Sequence, residues 1–357
     1  MNKTDIARAR LFNQQIAATK FTAPEEIVAW FGAMQAQDYP SAKWAVGLRV
    51  SGGTEEIVEQ AIADGKILRT HLMRPTWHFV AAEDIRRLIA LSAPQLRSTS
   101  KATFRSCGLD AETGNRANDL IAKALEGGKH LTRAEIMTEL RRAGIDSDNF
   151  RAAYLMFNAE IDAVVCSGVK RGKDQTYALL DERVPQTAAV SRDETIAELT
   201  RRYFTSHAPA TLRDYIWWSG LPAGDARKGL EMNKSNLSSK EIDGQTYYLP
   251  NEFSIPENEP DALYLLPAFD EFMVAYKDRS ASLAPEQAKE AITGNGIFKP
   301  IIVAGGKIRG VWKRNFKKDS VIIEKIVFGE LNEAEHEIFQ SKARDYALFE
   351  GKNVTVL

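Results

Sequence analysis

Two side-chain amides one residue apart, Gln35 and Gln37, are the groups of this 357-residue chain best suited to chemistry. An amide is a feeble general base, so such a pair is fitted to orient a water molecule and not to deprotonate it. Its carbonyl oxygens accept hydrogen bonds from that water, and their dipoles favour positive charge nearby. Asp38 follows directly as possible support. The run from Ile67 to Val80 comes soon after and reads as a hairpin around Arg74-Pro75, with Arg69, His71, Trp77 and His78 on its arms. Taken alone, Gln-x-Gln is a polar helix end. Beside a basic, aromatic hairpin it implies a protein that touches nucleic acid and places a water there.

The hairpin residues divide the labour. Arg69 and Arg74 suit phosphates, and Arg74 at the tip suits a narrow groove; His71 and His78 suit the backbone or groove edges. Trp77 serves equally well as a wedge beside a base step or as packing between hairpin and helix. Further basic clusters fall in predicted turns and hairpins: Lys170-Arg171-Gly172-Lys173, and Lys313-Arg314 with Lys317-Lys318. Any one of them reads more simply as solvated loop charge; three on similar features weigh more.

The elements that must position these groups follow from caps and apolar spacing. Thr22-x-x-Glu25 with Pro24 predicts a helix carrying Ile27, Trp30, Phe31 and Met34, which ends at the amide pair. Helices around Trp44 and Ile57 come next, then the hairpin. Helix groups followed by a hairpin return after Thr132-x-x-Glu135 and after Ser191-x-x-Glu194, with Asp243-Gly244 the strongest hairpin turn. Beyond a linker at residues 250–260 the signal is β: Leu263 to Leu266, Phe272 to Tyr276, Ile301 to Ala304, Ile308 to Val311 and Val321 to Phe328. A late helix from Asn332 and a last strand at Val354 to Val356 close the chain. The expected fold is α+β: three tandem winged-helix motifs (residues 1–105, 106–190 and 191–252), then a β-barrel-like subdomain (253–357).

Composition sets the class. Hydrophobic residues make up 44% and charged residues 27%, values of an ordinary soluble domain. No run approaches a membrane span, and no secretory signal opens the chain. Cys107 and Cys166 cannot build a disulfide framework or a zinc cluster, which places the protein in a reducing cytoplasm. Cys166, after Ala163-Val164-Val165, reads as a small buried hydrophobe. The balance of 47 basic against 48 acidic residues excludes a generic polyanion binder and leaves room for a local electrostatic footprint. With His130, His207 and His336 dispersed and no phosphate-loop pattern present, neither a metal nor a nucleotide cofactor is expected.

With these residues in view, the chain resembles the AlkZ/YcaQ-like winged-helix DNA glycosylases over nearly its full length. The resemblance rests on Met34-Gln35-Ala36-Gln37-Asp38 and on His71-Leu72-Met73-Arg74-Pro75-Thr76-Trp77-His78. It rests also on Leu265 to Asp270 with Tyr276-Lys277-Asp278-Arg279, and on Gly310-Val311-Trp312-Lys313-Arg314. It implies a C-shaped arrangement cradling duplex DNA, removal of N-alkylated purines and unhooking of crosslinks formed through guanine N7, with the water held at Gln35 and Gln37. Three units in one chain make dimerisation unnecessary, so a monomer is expected. Some relatives carry Asp at the second position, so how Gln37 and Asp38 share the work stays open. Alkylation explains how two amides suffice: it makes the base a cationic leaving group, and the remaining need is a placed water and support for an oxocarbenium-like sugar.

Two other readings compete. A non-catalytic winged-helix regulator needs a recognition helix aimed at base edges, and commonly a dimer. The candidate, Asn149 to Val165, carries Arg151, Asn158 and Glu160 amid apolar residues, which suits packing better. An adaptor binding protein partners is favoured only by the near-zero charge.

Overall fold

The computed structural model describes residues 1–186, 188–254 and 262–357. Helix α1 (Lys3–Asn13) is capped by Asn2, and α2 (Pro24–Phe31) starts at Ala23. The expected Thr22/Glu25 box is shifted by one residue: Glu26 accepts the backbone N–H groups of Thr22 and Ala23 at 3.2 and 3.0 Å. Helix α2 also stops before the amides. Gly32, at φ 82°, turns the chain out of the helix, a conformation that costs glycine least.

Met34–Gln35 then form β1, a correction to the expected helix end. Asp38 caps α3 (Tyr39–Gly47) by accepting the Ser41 N–H at 2.8 Å. Pro40 therefore lies in the first turn of a helix, where its missing N–H costs nothing. Next come α4 (Glu55–Ala63), β2 (Ile67–Leu72) and β3 (Thr76–Ala81), and β1 pairs with β3 to give the sheet order β1-β3-β2. Helix α5 runs from Ala82 to Ser106, with Pro94 inside it.

The same order returns. Helix α6 (Ala111–Leu125), β4 (Leu131–Thr132), α7 (Arg133–Arg142), α8 (Asn149–Ile161), β5 (Val165–Ser167) and β6 (Thr176–Leu179) build a sheet β4-β6-β5. Sequence spacing opened this group at Thr132; α6 precedes it, packing Ala117, Ile121 and Leu125 inward. The short α9 (Leu180–Arg183) leads to α10 (Arg192–Ser206), α11 (Leu212–Ser219), α12 (Ala223–Met232), β7 (Leu237–Ile242) and β8 (Gln245–Pro250). Here a single bridge, Ala210 to Tyr248, takes the place of the short strand. In all three segments the short strand joins the second arm of the hairpin.

The expected linker lies partly in residues 255–261, outside the described residues. Beyond it stand β9 (Leu263–Leu266), α13 (Glu271–Val274), α14 (Ala288–Ala291), β10 (Ile301–Ala304), β11 (Lys307–Phe316), β12 (Ser320–Val327), α15 (Glu333–Phe349) and β13 (Asn353–Val356). The expected strand at Phe272 to Tyr276 is in part helix α13, capped by Asp270 and buried on all sides. A continuous apolar run has no period to tell the two apart. The sheet order is β13-β12-β11-β10-β9, antiparallel except for β12 with β13. Its edges do not meet. The sheet is a curled half-barrel, and α15 packs against β9, β12 and β13 across the open side.

This sheet and the first segment share one core. Trp44 and Trp312 sit in the same cluster as Ile27, Phe31 and Tyr346, and their indole N–H groups donate to the carbonyls of Leu265 and Leu266 at 2.8 and 2.9 Å. Arg49 and Asp270 form a fully buried two-bond ion pair beneath it, at 2.8 and 2.9 Å.

Candidate active site

The strand ends at Gln35, and burial separates the two glutamines. Gln35 faces inward and is 8% exposed; its Oε1 accepts from Nη2 of Arg74 at 3.1 Å. Ala36 N–H donates to the Trp77 carbonyl at 2.7 Å and extends the ladder. Gln37, the next outward position, is exposed, with Oε1 at 3.4 Å from the Trp77 N–H. Behind Gln35 lies Glu271, whose Oε1 accepts the Gln35 N–H at 2.7 Å. Its Oε2 takes the Trp218 indole N–H at 2.9 Å. Burial works to raise the Glu271 carboxyl, but His207 and the Gln35 N–H outweigh it and hold it below the ordinary range.

The hairpin contributes differently from expectation. Arg74 does not project from the tip. Met73 adopts a positive φ of 57°, and the turn folds the guanidinium back onto Gln35, where burial pulls its pKa down. Gly220 makes this possible, because a Cβ there would lie 2.8 Å from the Met73 carbonyl oxygen. His78 is buried, hydrogen-bonded to the Thr76 carbonyl at 3.0 Å, and so out of reach of a DNA backbone. Its pKa falls to about 4 through burial first and the Arg74 charge second. His71 is mostly covered and bonded to the buried carboxylate of Glu160, which also accepts from the Trp77 indole at 3.3 Å.

Arg69 stacks on the Trp77 ring at 4.2 Å and donates to the Ala36 carbonyl at 3.0 Å. From the C-terminal sheet, Arg314 reaches Ser41 Oγ at 3.0 Å and Asp38 at 3.5 Å. Arg69 also reaches the Gln37 backbone carbonyl at 3.5 Å, and Arg314 is held at the neighbouring Asp38. Lys313 beside it is exposed on β11. Lys170, Arg171 and Lys173 form a separate turn, where Arg171 pairs with Glu135, and no described contact joins them to the amides.

Sequence reasoning passed over four residues here: Glu271, Trp217, Lys277 and Arg279. Lys277 and Arg279 lay within a recognised motif but had no assigned role. Trp217 carried a signal, since it falls off the Tyr215/Trp218 face of α11.

The comparisons bear on this geometry. A family model described as DNA glycosylase AlkZ-like matches residues 28–349. The chain belongs to the AlkZ-like DNA glycosylase family. That match spans both glutamines, the hairpin and the curled sheet up to β12. A Streptomyces sahachiroi protein described as an interstrand DNA cross-link repair glycosylase is 23% identical over 308 residues, covering 81% of each chain. The solved structure of the Streptomyces sahachiroi DNA glycosylase AlkZ superposes with a TM-score of 0.81 at 20% identity, covering 100% of both chains. That AlkZ structure is thus similar to this chain in fold throughout, and the family is one of DNA glycosylases, enzymes that act on N-glycosyl bonds. Among the described residues no helix is long and apolar enough to cross a membrane.

Proposed function

We propose that this protein hydrolyses the N-glycosidic bond of N-alkylated purines, N7-alkylguanine above all, in duplex DNA. The three repeated segments are read as winged helices that set a concave face against the duplex, with the protein acting as a monomer. A water held at Gln37 adds to C1′ as the C1′–N9 bond breaks. The bonding pair stays with the base and cancels its positive charge, and the water loses a proton to solvent. Gln35 orients the edge of this site through Arg74. Asp38 supports it from its cap position. Because the related Streptomyces protein is described as a cross-link repair enzyme, crosslinks through guanine N7 are the natural extended substrate.

The observation that carries this reading is the exposed Gln37 amide, bonded to the Trp77 N–H, with Arg69 stacked on Trp77 and Arg314 held at the neighbouring Asp38. It offers an acceptor for water where phosphates have cations to meet. Lysine chemistry is disfavoured at Lys43, the nearest lysine in sequence. Burial lowers its pKa, but Glu55 and Glu59 outweigh that and hold it charged, and an ammonium is no nucleophile. A regulator reading fits less well: Asn158 and Glu160 of α8 are buried, and on α4 Glu55 and Glu59 are turned to Lys43 while Glu56 is exposed.

Incubation with a duplex bearing one N7-methylguanine tests the proposal. Free base and alkali-labile abasic sites are expected, with no protein–DNA adduct trapped by borohydride. Tight binding without base release would leave the regulator, and a trapped adduct would move the chemistry to a lysine such as Lys277.

A further inference from the structure

Three cations converge on one half-exposed indole beside Gln35. The Trp217 ring is held by its N–H donating to the Val274 carbonyl at 3.0 Å. Around its centroid stand Lys277 Nζ at 4.3 Å, Arg74 Cζ at 5.4 Å and Arg279 Cζ at 5.7 Å. No carboxylate among the described residues pairs with any of the three. Each acid nearby is engaged elsewhere. Asp214 accepts the backbone N–H groups of Lys277 and Asp278 and faces Arg10. Asp278 accepts from Ser280 and Gln245, and Glu271 is filled by Gln35, Trp218 and His207.

The guanidinium groups keep unfilled donors as well. Arg279 gives Nε to the Met273 carbonyl at 2.8 Å, while its Nη2 is buried without a partner, as is Nε of Arg74. Burial, with the Arg74 charge added, pushes Arg279 down to about 10. Buried like charges with open N–H donors are costly unless an anion meets them. Two planar forks, one from the hairpin and one from the segment after α13 that also carries the ammonium, match the several oxygens of a phosphate.

We infer that Trp217, Lys277, Arg279 and Arg74 form a site for one backbone phosphodiester of the DNA. The inference rests on the duplex-binding part of the proposed function. The bound phosphate fixes the strand beside Gln35, and the exposed edge of Trp217 packs against the adjoining sugar.

Binding of an undamaged duplex across a salt series reads this site independently of base release. The K277Q/R279Q double variant is expected to lower the slope of log affinity against log salt by about 0.9, the value for one phosphate lost, and affinity by about tenfold. K277Q alone, at an exposed position, shows part of the effect with an unchanged melting temperature. K289Q, outside the site, keeps the wild-type slope. An unchanged slope in the double variant overturns the inference even if base release is intact. So does inorganic phosphate binding without DNA that depends on Lys277 while the duplex slope stays constant, which would make this a site for free anions. A reduced slope in the double variant, together with a wild-type protein that releases no base, would spare this site and sink the enzymatic reading.

Discussion

Arg74 donates through Nη2 to Oε1 of Gln35 at 3.1 Å, so the hairpin tip grips the amide strand instead of reaching outward. The bond joins a turn residue to an edge strand across 39 positions of sequence. It makes the two glutamines unequal: one is a buried anchor, and the other is left to solvent.

Gln37→Ala is therefore expected to slow base release by about 10²-fold, the scale for losing one positioned polar group. Affinity for undamaged duplex should hardly change, since a neutral amide meets no phosphate. Gln35→Ala should slow release too, but with a structural signature, because Arg74 loses its only described side-chain acceptor. Single-turnover release and duplex binding, measured side by side, separate the two. Wild-type release in the double Ala variant would show that the chemistry lies elsewhere.

Arg74 itself separates charge from geometry. Arg74→Ala is expected to weaken duplex binding and reduce the salt slope by about one. Arg74→Lys keeps the charge, and so most of the slope, but an ammonium lacks the fork that reaches Gln35 and the open site together. Base release should fall in this variant while salt dependence stays near wild type. Equal losses of both would mean that Arg74 acts through charge alone.

Much of the framework was legible in the sequence, and particular residues show where legibility ended. Asp243-Gly244, the Ser191/Glu194 box and the helix start at Asn332 marked real turns and helix starts, because each is a local interaction between neighbours. The short strand at Gln35 was hidden, since two residues have no period and the pairing depends on His78, far along the chain. Arg74 and His78 were read as surface groups from type alone. Their burial is set by Gly220 and Glu271, which no local pattern ties to them. The Trp217 cluster depends on three separated segments and was invisible for the same reason.

The Arg49–Asp270 pair predicts a stability effect beneath the site. Both side chains are fully buried, and Arg49 also donates to the carbonyls of Gln14 and Ala45. Asp270→Asn or Arg49→Met alone should cost about 3–5 kcal/mol by stranding a buried charge. Asp270→Leu combined with Arg49→Met should recover part of that loss. Chemical denaturation gives the comparison, and single variants within about 1 kcal/mol of wild type would contradict the pair's role.

The pH dependence of stability should report His78. Its pKa falls from 6.5 to about 4 on folding, driven by burial and then by Arg74. The unfolded chain therefore binds this proton first as pH falls. The stabilisation is complete above pH 6.5 and is lost progressively towards pH 4, by about 3 kcal/mol at 1.36 kcal/mol per pH unit. Glu198, lowered from 4.5 to about 2 with burial opposed by Arg201 and Arg202, acts only below pH 4.5 and does not confuse the upper window. His207 is lowered by burial in the same sense and leaves a residual slope. Urea titrations between pH 7 and 4.5 should thus show stability falling with pH in wild type and a shallower fall in His78→Gln. An identical slope in the two proteins would mean that His78 takes up its proton in the folded state as readily as in the unfolded one.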